Sequence, residues 1–167
     1  GRILNSDVAP IEGAVVEAEG VETKDGGGRW GSLPGIDPLA VTDEKGEFLI
    51  TAKKPFDFMN VKVSARTFAD KNFDPLASGA KHALVLTEGA ALTGRVLFHG
   101  KPLAGISVGV SGVNREAGIF AGSFEVGTDT NGDFTFVNLP PDTDFYLYGN
   151  MGTLKKFGTI PRQTIHT

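Results

Sequence analysis

The sequence predicts an all-β fold arranged as two tandem domains, and three observations carry that expectation. Apolar residues recur at every second position rather than at helical spacing. Glycines punctuate these runs as turns do. One stretch is also said twice, "TDEKGEFLI" at 42–50 and "TDTNGDFTF" at 128–136. Alternation of period two turns one face of a strand to a core and the other to water. At 167 residues, with 40% hydrophobic and 22% charged, the chain is globular and has length for two domains of about 80–90 residues, near the size at which one core sustains itself.

Taken in order, Gly1-Arg2-Ile3 opens a strand, and "PIEGAVVEAEG" places Ala14, Val16 and Ala18 on one face of the next. Asp43 to Gly46 reads as a tight turn, with Phe48 and Ile50 alternating directly after it. The stretch from Phe56 to Asp74 is the longest without Gly or Pro, and Phe58, Val61, Ala65 and Phe68 fit a helical spacing. Val61, Val63 and Ala65 also alternate with Lys62 and Ser64, no cap precedes them, and "TDFYLYGN" in the matching place is short and aromatic, so a strand is expected. "KHALVLTEGAALTGRVLFHG" reads as the last strand of one copy, a Glu-Gly-Ala turn and the first strand of the next. Ile106, Val108 and Val110, then Phe134 and Phe136, repeat the alternation.

Aligning the halves makes the repeat explicit. Gly1-Arg2-Ile3 matches Gly94-Arg95-Val96, Pro10 and Gly13 match Pro102 and Gly105 at an offset of 92, and Gly46 with Phe48 matches Gly132 with Phe134 at an offset of 86. The six-residue difference falls in the connection after Gly20 and Gly112, as expected of a loop on a fixed scaffold. The domains are expected at 1–90 and 91–167, with the boundary near Gly89 to Ala91, and so short a linker predicts restricted freedom between them. Copy one starts in the middle of its first strand and copy two ends as its last strand forms at "IPRQTIHT", which reads as a section of a longer array.

"GRVLFHGKPLAGISVGVSG" followed by "GTDTNGDFTFVNLPPDTDFYLYG" resembles the carboxypeptidase regulatory-like domain, the transthyretin-like or prealbumin-like β-sandwich with starch-binding-like and Cna-B-type relatives. Gly94, Val96, Gly100, Pro102, Gly105, Thr128, Asp129, Gly132 and Phe134 carry the likeness in copy two. Copy one keeps Pro10, Gly13, Thr42, Asp43, Gly46 and Phe48 but has "NSDVAP" at the first turn. The resemblance implies two Greek-key sandwiches and an extracytoplasmic setting, periplasmic, cell-surface or secreted, in a bacterium. It supplies no chemistry, because a fold of this kind does not fix a function.

The residues offer little chemistry of their own. Cysteine is absent, so thiolate ligands and cysteine nucleophiles are excluded, and a net charge of −4 gives no basic footprint for nucleic acid. No apolar run reaches the roughly 20 residues of a membrane span. His82, His99 and His166 lack zinc spacing, no Gly-x-Ser-x-Gly elbow occurs, and no glycine run forms a phosphate loop. The peptidase and transthyretin-like hydrolase activities of the family's kin therefore have no residues here, and neither an enzyme, a cofactor nor a metal is expected. Asp129, Asn131 and Asp133 alternate as in a calcium loop, but the sixth and twelfth positions hold Phe134 and Pro140 instead of Gly and Glu, so a hairpin turn is expected. The Lys–Asn isopeptide of Cna-B relatives lacks its lysine, since the first strands offer Arg2 and Arg95.

The variable connections remain for binding. Arg29 and Trp30 in the first, and Arg115, Phe120 and Phe124 in the second, are the candidate ligand contacts, because aromatic rings on loops stack on sugars or anchor proteins. The competing reading is that Trp30 covers an open end of the sandwich. The function expected is a non-catalytic accessory or spacer pair, with neighbouring domains of the same polypeptide as partners. The alternative is a module binding a polysaccharide or a cell-envelope protein around Trp30 and Phe120.

Overall fold

The computed structural model describes residues 1–113 and 123–167, and these divide into two compact units, Gly1–Glu88 and Gly89–Thr167. The division falls ahead of Ala90 because that residue is already paired with Leu139 inside the second unit.

In the first unit the strands are β1 (Arg2–Leu4), β2 (Val15–Glu22), β3 (Gly28–Trp30), β4 (Leu39–Val41), β5 (Phe58–Ser64), β6 (Lys71–Ala77) and β7 (Ala83–Val85). One sheet runs β3-β2-β5-β6, with β4 also on β2, and all of its pairings are antiparallel. The second sheet pairs β1 with β7 in parallel, Ile3 opposite Leu84. Ile3, Leu84 and Leu86 from the smaller sheet meet Val16, Met59, Val61 and Val63 from the larger, which makes a sandwich around one core. Within the Phe56–Asp74 stretch, Phe58–Ser64 is strand as the period-two reading expected, with Val61 and Val63 buried, and β6 begins at Lys71.

A bulge between Ala18 and Gly20 changes which parity of β2 faces the core. Ala14 and Val16 are buried ahead of it and Val21 packs on the core after it, so one extra residue leaves Gly20 on the outer face. The other irregularity lies between Met59 and Val61, opposite the Asp74-Pro75 portion of β6. Proline has no N–H for a ladder, and β6 is an edge strand, which is where sheets tolerate it.

The second unit contains β8 (Ala90–Arg95), β9 (Leu97–Phe98), β10 (Lys101–Pro102), β11 (Ser107–Gly112), β12 (Ser123–Gly127), β13 (Asp133–Leu139), β14 (Asp144–Gly149) and β15 (Gln163–His166). Its larger sheet runs β12-β11-β14-β15, while β13 pairs with β8 and β9 with β10. Val108, Val110 and Phe145 from the large sheet pack on Val96, Phe134, Phe136 and Leu139 in a second core, separate from the first.

One element departs from the all-β expectation. Helix α1 (Met151–Leu154) and a single 3-10 turn (Lys155–Phe157) precede β15. Asn150 starts the helix by accepting a hydrogen bond from Gly152 N–H through its side chain, and Leu154 is buried in the core. A signal was present in the sequence, an Asn ahead of Met-Gly-Thr-Leu, but four residues are too few for periodicity to show.

The cores are spectroscopically separable, since Trp30 lies in the first unit and Tyr146 and Tyr148 lie in the second. Phe134, 7% exposed, packs in the second core and not in the first. Phe134→Ala is expected to cost about 3–5 kcal/mol. Denaturant unfolding followed at the tyrosines should show it, with the tryptophan transition unmoved.

Candidate functional site

The duplicated Thr-Asp-x-x-Gly stretch forms the same hydrogen-bonded clamp in both units. Thr128 Oγ1 accepts from Ile106 N–H at 2.9 Å and donates to Leu103 C=O at 2.6 Å, and Thr42 Oγ1 does the same with Ala14 N–H and Ile11 C=O. Asp129 Oδ1 accepts from the N–H groups of Asn131 and Asp133, and Asp43 Oδ1 from those of Lys45 and Glu47. Gly132 and Gly46 close the turns at φ 76° and 71°, where a side chain is strained. A Cβ on either would also lie 2.5–2.6 Å from the carbonyl oxygen of Val96 or Ile3. The N–H groups of Val96 and Ile3 in turn bond to the glycine carbonyls.

The clamp uses the acids that alternate like calcium ligands. Asp129 is engaged by its own turn, and the Asp133 carboxylate faces the Arg95 guanidinium bidentately, at 2.6 and 2.9 Å. The Arg95 hydrogen bond holds the Asp133 carboxyl below the usual carboxylate range. In the first unit Arg2 Nε instead donates to Lys45 C=O at 2.7 Å. The strands that an isopeptide would join, β1 and β7, read Arg-Ile-Leu and Ala-Leu-Val.

Three of the predicted binding residues lie among the described residues. Arg29 and Trp30 lie on β3 in the first unit, both exposed, while Arg115 and Phe120 fall outside the described residues. Phe124 sits opposite Val110 on β12 and packs on the second core, since residues alternate across β12 and its neighbours Phe124 and Val126 both face inward. The ring is half-buried there, on a strand instead of a loop. Trp30 is paired directly with Gly20, and its ring occupies the space a Cβ there would need. The ring thus lies on the outer face of the sheet, 58% exposed, instead of closing an end of the sandwich. A large ring over a strand glycine restores cross-strand cover that glycine lacks. On the far side of Gly20, Asn60 is 4% exposed; its Nδ2 donates to Glu22 Oε1 at 2.7 Å and its Oδ1 has no partner.

The second unit repeats the device with other residues. Gly109 lies between Glu125 and Tyr148 in one cross-strand row, and the Tyr148 ring covers it. Because Gly109 has no side chain, Tyr148 OH reaches across to Glu125 at 3.3 Å, joined by Ser107 Oγ at 2.8 Å and Asn150 Nδ2 at 3.3 Å. Hydrogen bonds from Ser107, then Asn150, then Tyr148 lower the Glu125 pKa. Ser107, Glu125 and the neighbouring Tyr148 and Asn150 come from three separate stretches of sequence, so no local spacing announces this cluster.

No family model and no curated protein sequence matches the chain. The family resemblance therefore rests on the motif positions themselves. Among solved structures, the chain is similar to a streptococcal ancillary pilin at 13% identity and a TM-score of 0.41, over 99% of this chain and 57% of that one. It is also similar to the shaft pilin SpaA of Lactobacillus rhamnosus GG at 12% identity and 0.38, over 99% and 90%, and to the Bacillus anthracis TIE protein at 15% and 0.33, over 98% and 29%. The chain spans little more than half the length of the ancillary pilin.

Two outcomes are expected from the clamp and the acidic cluster. Thr128→Val leaves Ile106 N–H and Leu103 C=O without their partner and is expected to destabilise the second unit by about 1–3 kcal/mol, measured by tyrosine-detected unfolding. Asp133 and Glu125 have lowered pKa values in the fold and return to about 4 when unfolded. Their stabilisation is therefore present above that value and is lost as pH falls through the folded values. The acid-side fall in the unfolding midpoint should be flatter in Asp133→Asn and in Glu125→Gln.

Proposed function

We propose that the chain is a non-catalytic accessory or spacer pair from a larger bacterial surface, periplasmic or secreted protein, built of two tandem transthyretin-like Greek-key sandwiches at 1–90 and 91–167. The observation that carries this reading is the clamp: the two units repeat it bond for bond, including the Thr hydroxyl bridge, the Asp-capped turn and the glycine against a backbone oxygen. What is duplicated is a load-carrying framework, and its polar groups face one another. The connections, where a ligand would be read, differ between the units in length and residues. The extracytoplasmic setting is supported by the motif resemblance.

A binding module is the second reading, and one observation favours it. Trp30 presents an open ring on a sheet face. An exposed aromatic platform suits a sugar ring.

Titrating the chain with a panel of polysaccharides separates the two. The spacer reading expects unchanged Trp30 fluorescence and no retention. Trp30→Ala should then lower the stability of the first unit by about 0.2–1 kcal/mol, the scale of one cross-strand pair, as Gly20 loses its cover. A fluorescence shift together with retention that Trp30→Ala abolishes would establish the binding module instead.

A further inference from the structure

The Asp-x-x-Gly turn of the second unit carries the one Asn-Gly pair of the chain, Asn131-Gly132, where the first unit has Lys45-Gly46. An asparagine followed by glycine is the pairing most open to deamidation, because a residue without a Cβ lets its backbone nitrogen reach the preceding side-chain carbonyl. Asn131 is exposed and Gly132 is buried. The reactive amide is therefore solvated, while the nitrogen that would attack it lies inside the clamp.

The folded turn opposes that attack in two ways. Gly132 N–H donates to Asp129 C=O at 3.0 Å and Asn131 N–H donates to Asp129 Oδ1 at 2.8 Å, so both peptide groups flanking Asn131 are tied to one residue. Asn131 is the third residue of this turn and lies outside the left-handed region, with Gly132 inside it at φ 76°, the arrangement of a type I turn followed by a left-handed glycine. The third residue of a type I turn has ψ of about 0°, whereas closing a ring between Gly132 N and Asn131 Cγ needs that nitrogen eclipsed with Cβ, a rotation of about 120°. Gly132 is not free to follow such a rotation. Its carbonyl accepts from Val96 N–H at 2.8 Å, and a Cβ on it would already lie 2.6 Å from Val96 C=O and 3.1 Å from Leu103 N.

We propose that Asn131 is a deamidation site gated by the clamp, intact while the turn is folded and converted once it opens. In the open turn Gly132 N attacks Asn131 Cγ and forms the N–Cγ bond; the Cγ–Nδ2 bond breaks, and ammonia leaves with the proton that Gly132 N gives up. Water then opens the cyclic imide at either carbonyl, which leaves aspartate or isoaspartate. Isoaspartate routes the main chain through Cγ and so adds a methylene to a turn whose ends are held by Asp129 and Val96. Either product sets a carboxylate between Asp129 and Asp133. Conversion is one-way, so it accumulates with each opening of the second unit, and the first unit, with lysine at that place, is spared. The inference rests on the geometry of the clamp and not on the spacer role.

The test incubates the full chain in native buffer and in urea at matched pH and temperature. Peptide mapping follows the mass gain of an amide-to-acid conversion at Asn131, and enzymatic methylation detects isoaspartate. Conversion is expected to be at least tenfold faster in urea. Thr128→Val, which loosens the clamp and leaves the Asn-Gly pair in place, should convert at a rate between the two; if it fails to fold, sub-denaturing urea on the unaltered chain supplies the intermediate degree of opening. Equal rates in native buffer and in urea would overturn the gate, as would a loosened second unit that converts no faster than the intact one. The consequence for the fold is read after refolding. A chain converted at Asn131 should show a lowered tyrosine-detected midpoint with the tryptophan transition unmoved, whereas Asn131→Lys treated in the same way should keep both. A converted chain that regains the original tyrosine-detected midpoint would overturn that consequence.

Discussion

A threonine hydroxyl bonded on both sides holds each unit of this protein together. Thr42 and Thr128 are buried, 4% and 7% exposed, at the point where the chain enters the Asp-x-x-Gly turn. A buried hydroxyl without partners costs on the order of 1–3 kcal/mol, and here it bridges an N–H and a C=O from the segment that opens the central strand. That bridge fixes the hairpin against the sheet. The glycine then fits where no Cβ can, and the residue two positions on, Phe48 or Phe134, is aimed into its core.

Around this constant frame the units solve the same local problems differently. Each has a glycine in a central strand that needs cover, and each takes an aromatic ring from the neighbouring strand: Trp30 over Gly20, Tyr148 over Gly109. The basic residue of the first strand meets a carboxylate in one unit and a carbonyl in the other. An exposed pair such as Arg95–Asp133 contributes little to stability, so its exchange for a neutral contact is tolerated. The buried bridge has no such freedom.

The hairpins, the strand alternation and the two separate cores were legible because each rests on a local rule. Gly46 and Gly132 stand where φ is positive, and Ile106, Val108 and Val110 share a face at every second residue. The bulge at Ala18–Gly20 was not legible, since it transfers the buried face from even to odd positions without changing the composition of β2. Phe124 was read as a loop residue for a similar reason. Its sequence neighbourhood is a connection, and only its pairing with Val110 turns it inward.

The sequence by itself determined the Asp-x-x-Gly turns and the nearly all-β class, because turn chemistry and side-chain alternation act between residues a few positions apart; the threonine bridge, which ties Thr42 to Ile11 and Ala14, needed the tertiary structure. Only the tertiary structure decided that β1 and β7 pair in parallel, that Trp30 lies on Gly20, and that Glu125 gathers Ser107, Tyr148 and Asn150. These contacts join residues brought together by sheet register, and register is set by the fit of whole faces around a core, which no short stretch of sequence contains.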